Sequence, residues 1–363
     1  MTTASAALND GQQLSLADAL GAISDGADVR DREASPAFPS AAIELLRRAG
    51  LLWWNAVDGE RPPASEELAL VRAVARADGS VGRIFDGHLN GIERLLVQGP
   101  RTLRQAELPL IRTGELVVGV WGGEPRAGEG QPAAIEQLGE REFLIGVKTF
   151  CSGAGGLQRA LVLARDPLAE KPAAVWVDLT DRATVHVDER WYRSSGLRAS
   201  ASHRVTFDRA PVLARFGPPG ALAEQPWFGR DALRTAAMWA GMVDTAFEAT
   251  LVDLRLRPQR TQLEQLAVGR MLTARGTIDA WLERAGRAMD GAVPDLPAVA
   301  LHARAAIADA ARVLLDEAAR ACGSTTFATG GALDRARRDL ELFLLQHRLD
   351  PMLARAGASA LLG

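Results

Sequence analysis

Few side chains here combine a residue type and a setting that could do chemistry, so each can be weighed in turn. The five histidines (His88, His186, His203, His302 and His347) are scattered, and none stands with Cys or carboxylates at ligand spacing, which argues against a metal centre. Ser152-Gly153-Ala154-Gly155-Gly156 lies between two strand-like runs, not between a strand and a helix. It therefore suits neither a dinucleotide fingerprint nor a nucleophile elbow at Ser152, and reads as a hairpin turn that needs positive φ. His347 sits near the end of the last helical run, within Leu344-Leu345-Gln346-His347-Arg348-Leu349-Asp350. A histidine there can shuttle protons near neutral pH, or simply complement the carboxyl end of a helix. Asp231 opens another helical run, a place where the helix dipole favours an acid whatever its chemistry.

The elements that must position these residues fall into three textures. Residues 14–104 read as helical: 41–48 puts Ile43, Leu45 and Leu46 near one face before Gly50, Ser65-Glu66-Glu67 opens a second helix after Pro62-Pro63, and a third runs over 84–96. From Leu108 to Val212 the chain reads as short strands, at 116–121, 143–150, 160–164, 174–179, 184–187 and 203–207. Such runs, bounded by Gly, Pro and Asp, indicate a barrel or sandwich. Four long periodic segments follow (230–256, 261–289, 296–322 and 333–349), which suggests an antiparallel four-helix bundle. We therefore divide the chain into a helical domain (1–107), a β-barrel domain (108–215) and a bundle (216–363).

Composition narrows the function classes. With 363 residues the chain can bury more than one packed unit, and a net charge of −3 without basic tracts argues against nucleic acid as partner. No apolar run is long enough for a membrane span, and residues 1–10 lack the pattern of a secretory signal. Cys151 and Cys322, the only cysteines, suit a reducing cytoplasm better than a disulfide framework.

Several segments, in this order, resemble the acyl-CoA dehydrogenase superfamily over about 330 residues. Gly146-Val147-Lys148-Thr149-Phe150-Cys151-Ser152-Gly153-Ala154 is similar to the family's strand and turn beside the flavin ring. The run Gly196 to His203, with Val205-Thr206-Phe207-Asp208 and Pro211-Val212, resembles the segment that closes its barrel. Arg76-Ala77-Asp78-Gly79-Ser80-Val81-Gly82 resembles the start of the preceding helix, and Leu333-Asp334-Arg335 with Arg338-Asp339 the motif upstream of the catalytic position.

The resemblance implies an acyl-CoA dehydrogenase fold, with multi-domain α+β architecture, and a bound FAD between barrel and bundle, part of it held by a neighbouring subunit of a homodimer or homotetramer. By position, Phe150 and Ser152 would flank the flavin, Trp121 would stand in its altered loop Trp121-Gly122-Gly123-Glu124-Pro125, and Gln262 with Arg255 or Arg257 would bind the distal part of FAD. The usual catalytic Glu is replaced by His347, and Asp231 falls near the family's second location for that base. Two chemistries follow. One is oxidation of an acyl thioester or similar substrate, with Asp231 (or His347) abstracting a proton, hydride passing to flavin N5 and an electron-transfer partner accepting the electrons. The other is a two-component monooxygenase acting on an acyl or aromatic substrate, with Ser152 and His347 assisting a flavin peroxide and a separate reductase supplying reduced FMN or reduced FAD. A non-catalytic relative is the third reading.

Overall fold

In the computed structural model the described residues are 14–33, 37–56, 61–346 and 349–362. The first part is helical: α1 (Leu16–Asp25), α2 (Ala27–Arg32), α3 (Ser40–Arg48), α4 (Ala64–Ala77), α5 (Gly79–Gln98) and α6 (Arg101–Arg112). Asp78 starts α5 by accepting the backbone N–H groups of Ser80 and Val81, placing an acid at the positive end of the helix. The next turns of α5 are buried almost all round, as befits a helix threaded between layers. Gly91 permits this, because a Cβ there would sit 2.6 Å from Val118 Cγ2 on the first strand.

Seven strands follow: β1 (Val118–Trp121), β2 (Ala134–Leu138), β3 (Arg141–Cys151), β4 (Arg159–Ala164), β5 (Ala173–Asp178), β6 (Val185–Asp188) and β7 (His203–Arg215). They pair in the order β1-β4-β5-β7-β3-β2, with β6 also on β7. The expected barrel is therefore not closed, since no ladder joins β1 to β2. Long β7 instead bridges two halves, pairing with β5 near Val212–Arg215 and with β3 and β6 nearer its start. Two physical features replace closure. Register shifts bend β3 between Leu144 and Gly146 and between Lys148 and Cys151, and α5 covers the β1 edge, where His88 Nδ1 accepts the Val118 N–H. Gly153 and Gly155 do take positive φ, but the strands they join, β3 and β4, do not pair, so the turn is a crossover between halves and not a hairpin.

The last part holds α7 (Trp227–Leu256), α8 (Gln262–Met289), α9 (Leu296–Cys322), α10 (Ser324–Thr329), α11 (Ala332–Gln346) and α12 (Asp350–Leu361). The stretch Ala236 to Val243 of α7 is wholly buried, making α7 the central helix of the bundle. A Cβ at Gly241 would lie 2.2 Å from the Arg72 carbonyl oxygen, so this glycine lets α4 pack onto α7. One apolar cluster runs through the N-terminal helices, the strands and the bundle, so they share a core. Three features differ from the sequence expectation. Helix α6 crosses the anticipated start of the strand region at Leu108, β2 was not foreseen, and the short helices α10 and α12 lie outside the four expected segments. Among the described residues no helix is long and apolar enough to cross a membrane.

Candidate active site

The turn after β3 joins several of the residues singled out by sequence. Phe150 adopts φ 53°, a left-handed conformation that costs a non-glycine residue on the order of 1–3 kcal/mol. Its ring is 43% exposed and meets Trp191 edge-on at 5.0 Å. Beneath it, the buried Trp121 indole donates to the Ser152 carbonyl at 3.0 Å, so Trp121 holds the turn from below and does not face solvent. Gly123 accepts the Thr149 N–H, and a Cβ at Gly123 would be 2.1 Å from the Thr149 oxygen. The ammonium of fully buried Lys148 reaches Glu124 at 2.6 Å, tying the altered loop to β3. Trp121, Phe150 and Ser152 thus belong to one constellation.

A chain of hydroxyls leads away from this turn. Ser152 Oγ lies 2.9 Å from Ser202 Oγ, which lies 2.8 Å from Ser200 Oγ, and any of the three can donate. The Tyr192 hydroxyl lies beside the Ser200 and Ser194 hydroxyls and donates to the Gly196 carbonyl at 3.2 Å. Burial pushes the Tyr192 phenol up while the two serine hydroxyls pull it down. His203, opposite Cys151 in the β3–β7 ladder, is buried, and among the described residues its Nδ1 has no hydrogen-bond partner. Its pKa is lowered by burial, against the pull of Glu189 and Asp188, which favours a neutral imidazole beside Tyr192. Asp339 of α11 closes the far side by accepting the Leu197 N–H at 2.5 Å, and burial pushes its carboxyl up to about 7.

Tyr192, Ser200, Ser202 and Asp339 carried no assigned role at the sequence level. The serines gave no periodic signal, because Ser200 ends a 3-10 turn and Ala201 is left-handed, so strand alternation does not relate Ser200 to Ser202. Tyr192, the only tyrosine, had none, because its place depends on the loop between β6 and β7.

The other candidates sit elsewhere. Asp231 lies in the first turns of α7, gripped by Arg94 (2.5 Å) and Arg234 (3.3 Å), and burial pushes its carboxyl up to about 7 against both cations. Around it Arg234 also binds Glu67 and Glu93, Arg230 binds the same two acids, and Arg61 pairs with Glu93. Arg257 closes the other end of α7, roughly 39 Å away over 26 residues at 1.5 Å each. Its guanidinium is engaged by Asp253, Glu264 and the carbonyls of Ala321 and Cys322. Arg255 and Gln262 are exposed near it, Gln262 as the first residue of α8 behind the Thr261–Glu264 capping box. The structure therefore does not bring Asp231, Arg255, Arg257 or Gln262 into contact with the Phe150–Ser152 turn. His347 lies outside the described residues.

No family model matches the chain, and no curated protein does. Solved structures do. FMN-bound TdsC from Paenibacillus sp. A11-2, a dibenzothiophene monooxygenase, superposes with a TM-score of 0.81 at 19% identity over 93% of this chain and 94% of its own. Methanesulfinate monooxygenase MsuC from Pseudomonas fluorescens gives 0.75 at 22% identity, over 94% of this chain and 95% of that one. A probable acyl CoA dehydrogenase from Mycobacterium abscessus gives 0.73 at 17% identity, over 89% and 93%. At such identities the likeness concerns architecture, and over almost its whole length this chain has the acyl-CoA dehydrogenase fold.

Proposed function

We propose that the protein is a flavin-dependent oxidoreductase that oxygenates a small organic substrate with reduced flavin and O2, the flavin being reduced by a separate enzyme. The observation that carries this reading is the hydroxyl chain Ser152–Ser202–Ser200–Tyr192, which begins beside the strained, exposed Phe150 ring. The residues present fit a flavin, since an apolar ring kept exposed at a conformational cost, next to convergent hydroxyls, suits a planar heterocycle with polar edges. Bound there, reduced flavin would supply the two-electron chemistry with oxygen. Phe150 and Trp191 would flank it. Ser152 Oγ would donate to its polar edge, and a proton leaving that oxygen could be replaced from Ser202. Trp121, by fixing the Ser152 carbonyl, would keep the hydroxyl in place, while His347, by its place in the sequence, would assist proton transfer.

The monooxygenase activities for which TdsC and MsuC are named support this chemistry, and the FMN of TdsC supports FMN as cofactor, with reduced FAD as the alternative. The engagement of Arg257 by two carboxylates also supports the smaller flavin. A homodimer or homotetramer is supported by exposed Val252, Leu256, Leu263, Leu266 and Leu272 near the α7–α8 connection and along α8. A reducing cytoplasm is supported by two free buried cysteines.

A second reading, dehydrogenation of an acyl thioester by bound FAD, draws on Asp231, whose carboxyl near 7 has the basicity of a general base. The purified protein separates the two. Colourless protein that binds reduced FMN and, on mixing with oxygen, oxygenates aromatic or sulfur-containing substrates supports the proposal. Tightly held yellow FAD, bleached without oxygen by acyl thioesters and no longer bleached in Asp231→Asn, would overturn it. Protein that binds neither flavin removes both.

A further inference from the structure

A second cavity, of about 300 Å³, lies where the start of α7 meets the first half of α9 and α12, and Arg304 is its most unusual wall. The residue is 6% exposed, its Nε is buried without an acceptor, and among the described residues it makes no hydrogen bond or ion pair. Its one directional contact is the face of Trp239, 5.6 Å from guanidinium carbon to ring centroid. Burial draws its pKa down to about 10, and among the described residues no carboxylate opposes that. Elsewhere in this bundle buried arginines are met by acids, as Arg230 and Arg234 are by Glu67 and Glu93. A buried cation left unpaired is costly and is retained only where something compensates for it.

The rest of the cavity suggests what does. Arg355 and His302 line it, together with Gln225, whose Oε1 accepts the Gly229 N–H and whose amide nitrogen remains to donate. No Asp or Glu is among the lining residues, and Phe228, Pro297, Leu301 and Met352 supply apolar surface. We propose that this cavity binds a small organic acid, its carboxylate or sulfonate paired with Arg304 and its apolar body against Phe228, Leu301 and Met352. A planar oxyanion matches the guanidinium fork, and Trp239 behind that fork keeps it from turning away. The site does not depend on the flavin reading, because none of its residues belongs to the Phe150–Ser152 constellation.

The test uses flavin-free full-length protein, with benzoate, benzenesulfonate and octanoate as probes and benzamide as the neutral control. Calorimetry should show saturable binding of at least one acid and none of benzamide. Arg304→Met should weaken that binding by at least about tenfold. The same variant should melt at a higher temperature than wild type without ligand, because it removes an uncompensated charge and keeps the side-chain volume. Ala356→Trp, which narrows the cavity from α12 and leaves Arg304 in place, should also abolish binding. The proposal is overturned if no acid binds at millimolar concentration, if benzamide binds equally well, or if Arg304→Met retains wild-type affinity. A lower melting temperature for ligand-free Arg304→Met would equally overturn it, by showing that the arginine is structural.

Discussion

The helical half of the molecule uses buried arginine in two opposite ways. At the start of α7, Arg234 reaches Glu67, Glu93 and Asp231, and Arg94 holds Asp231 from α5. Although burial raises Glu93, the charges of Arg234, Arg230 and Arg61 draw it down to about 2. On α9, Arg304 is also buried, and among the described residues no acid pairs with it. In the first region the groups compensate one another, and their joint effect is to lock α4, α5 and α7 together. In the second no described residue supplies the compensation, which is the opening the proposed acid would fill. Burial alone therefore does not separate structural charge from binding charge, whereas the presence or absence of a partner does.

The sharpest way to break this comparison is to make the same exchange in both places. Arg234→Met should lower stability by about 3–5 kcal/mol, because Glu67, Glu93 and Asp231 each lose a buried cationic partner, and urea denaturation would measure the loss. Arg304→Met should change stability in the opposite direction. Equal destabilisation by the two exchanges would mean that the contrast has no energetic basis.

A second contrast sets the ion network against the hydroxyl chain, which is neutral. Ser152→Ala should leave reduced-flavin affinity within about twofold yet lower oxygenated product by about 10²-fold, the range of a lost proton-transfer group. Uncoupled turnover would appear as hydrogen peroxide in place of product. An undiminished product yield would remove Ser152 from the chemistry.

Asp339 sharpens the comparison through pH. Its folded carboxyl is raised to about 7 from an ordinary value of 3.8, so the folded state holds the proton more tightly. Its contribution is therefore complete below about pH 4 and declines as pH rises towards 7, by at most about 1.4 kcal/mol per pH unit. Asp339→Asn keeps an oxygen for the Leu197 N–H and should flatten that part of the pH–stability curve. If the variant titrates like wild type, another group is responsible.

The smallest effect is expected at Phe150. Phe150→Gly relieves a left-handed backbone and should stabilise the free protein by about 0.5–1 kcal/mol while weakening flavin binding. Lower stability together with unchanged flavin affinity would show the ring to be packing material.

Much of the architecture was legible in residue patterning. The observed α7, α8 and α9 begin and end within three residues of the expected segments, because long apolar periodicity punctuated by proline is a local signal. Six strands were visible for the same reason. β2 was not, since Ala134–Leu138 places Glu136 and Gln137 side by side without clean alternation and its pairing with β3 is what makes it a strand. Of the candidate site residues, Phe150 and Ser152 lie at the end of β3 and come together in space with Trp121, which ends β1 and donates to the Ser152 carbonyl. Asp231 was noticed as an acid at a helix start, and Arg234 lies within reach of it one turn on, but its closer partner Arg94 could not be read, because it comes from a helix 137 residues away.

The order of helices, strands and bundle, the turn glycines and the exposed or buried face of each long helix follow from the sequence alone, because they depend on interactions between near neighbours. Three things were decided only by tertiary structure: the open sheet in place of a barrel, the alignment of Tyr192, Ser200 and Ser202 behind Ser152, and the isolation of Arg304. Each depends on which distant segments meet, and whether a buried polar group finds a partner is settled only when they do.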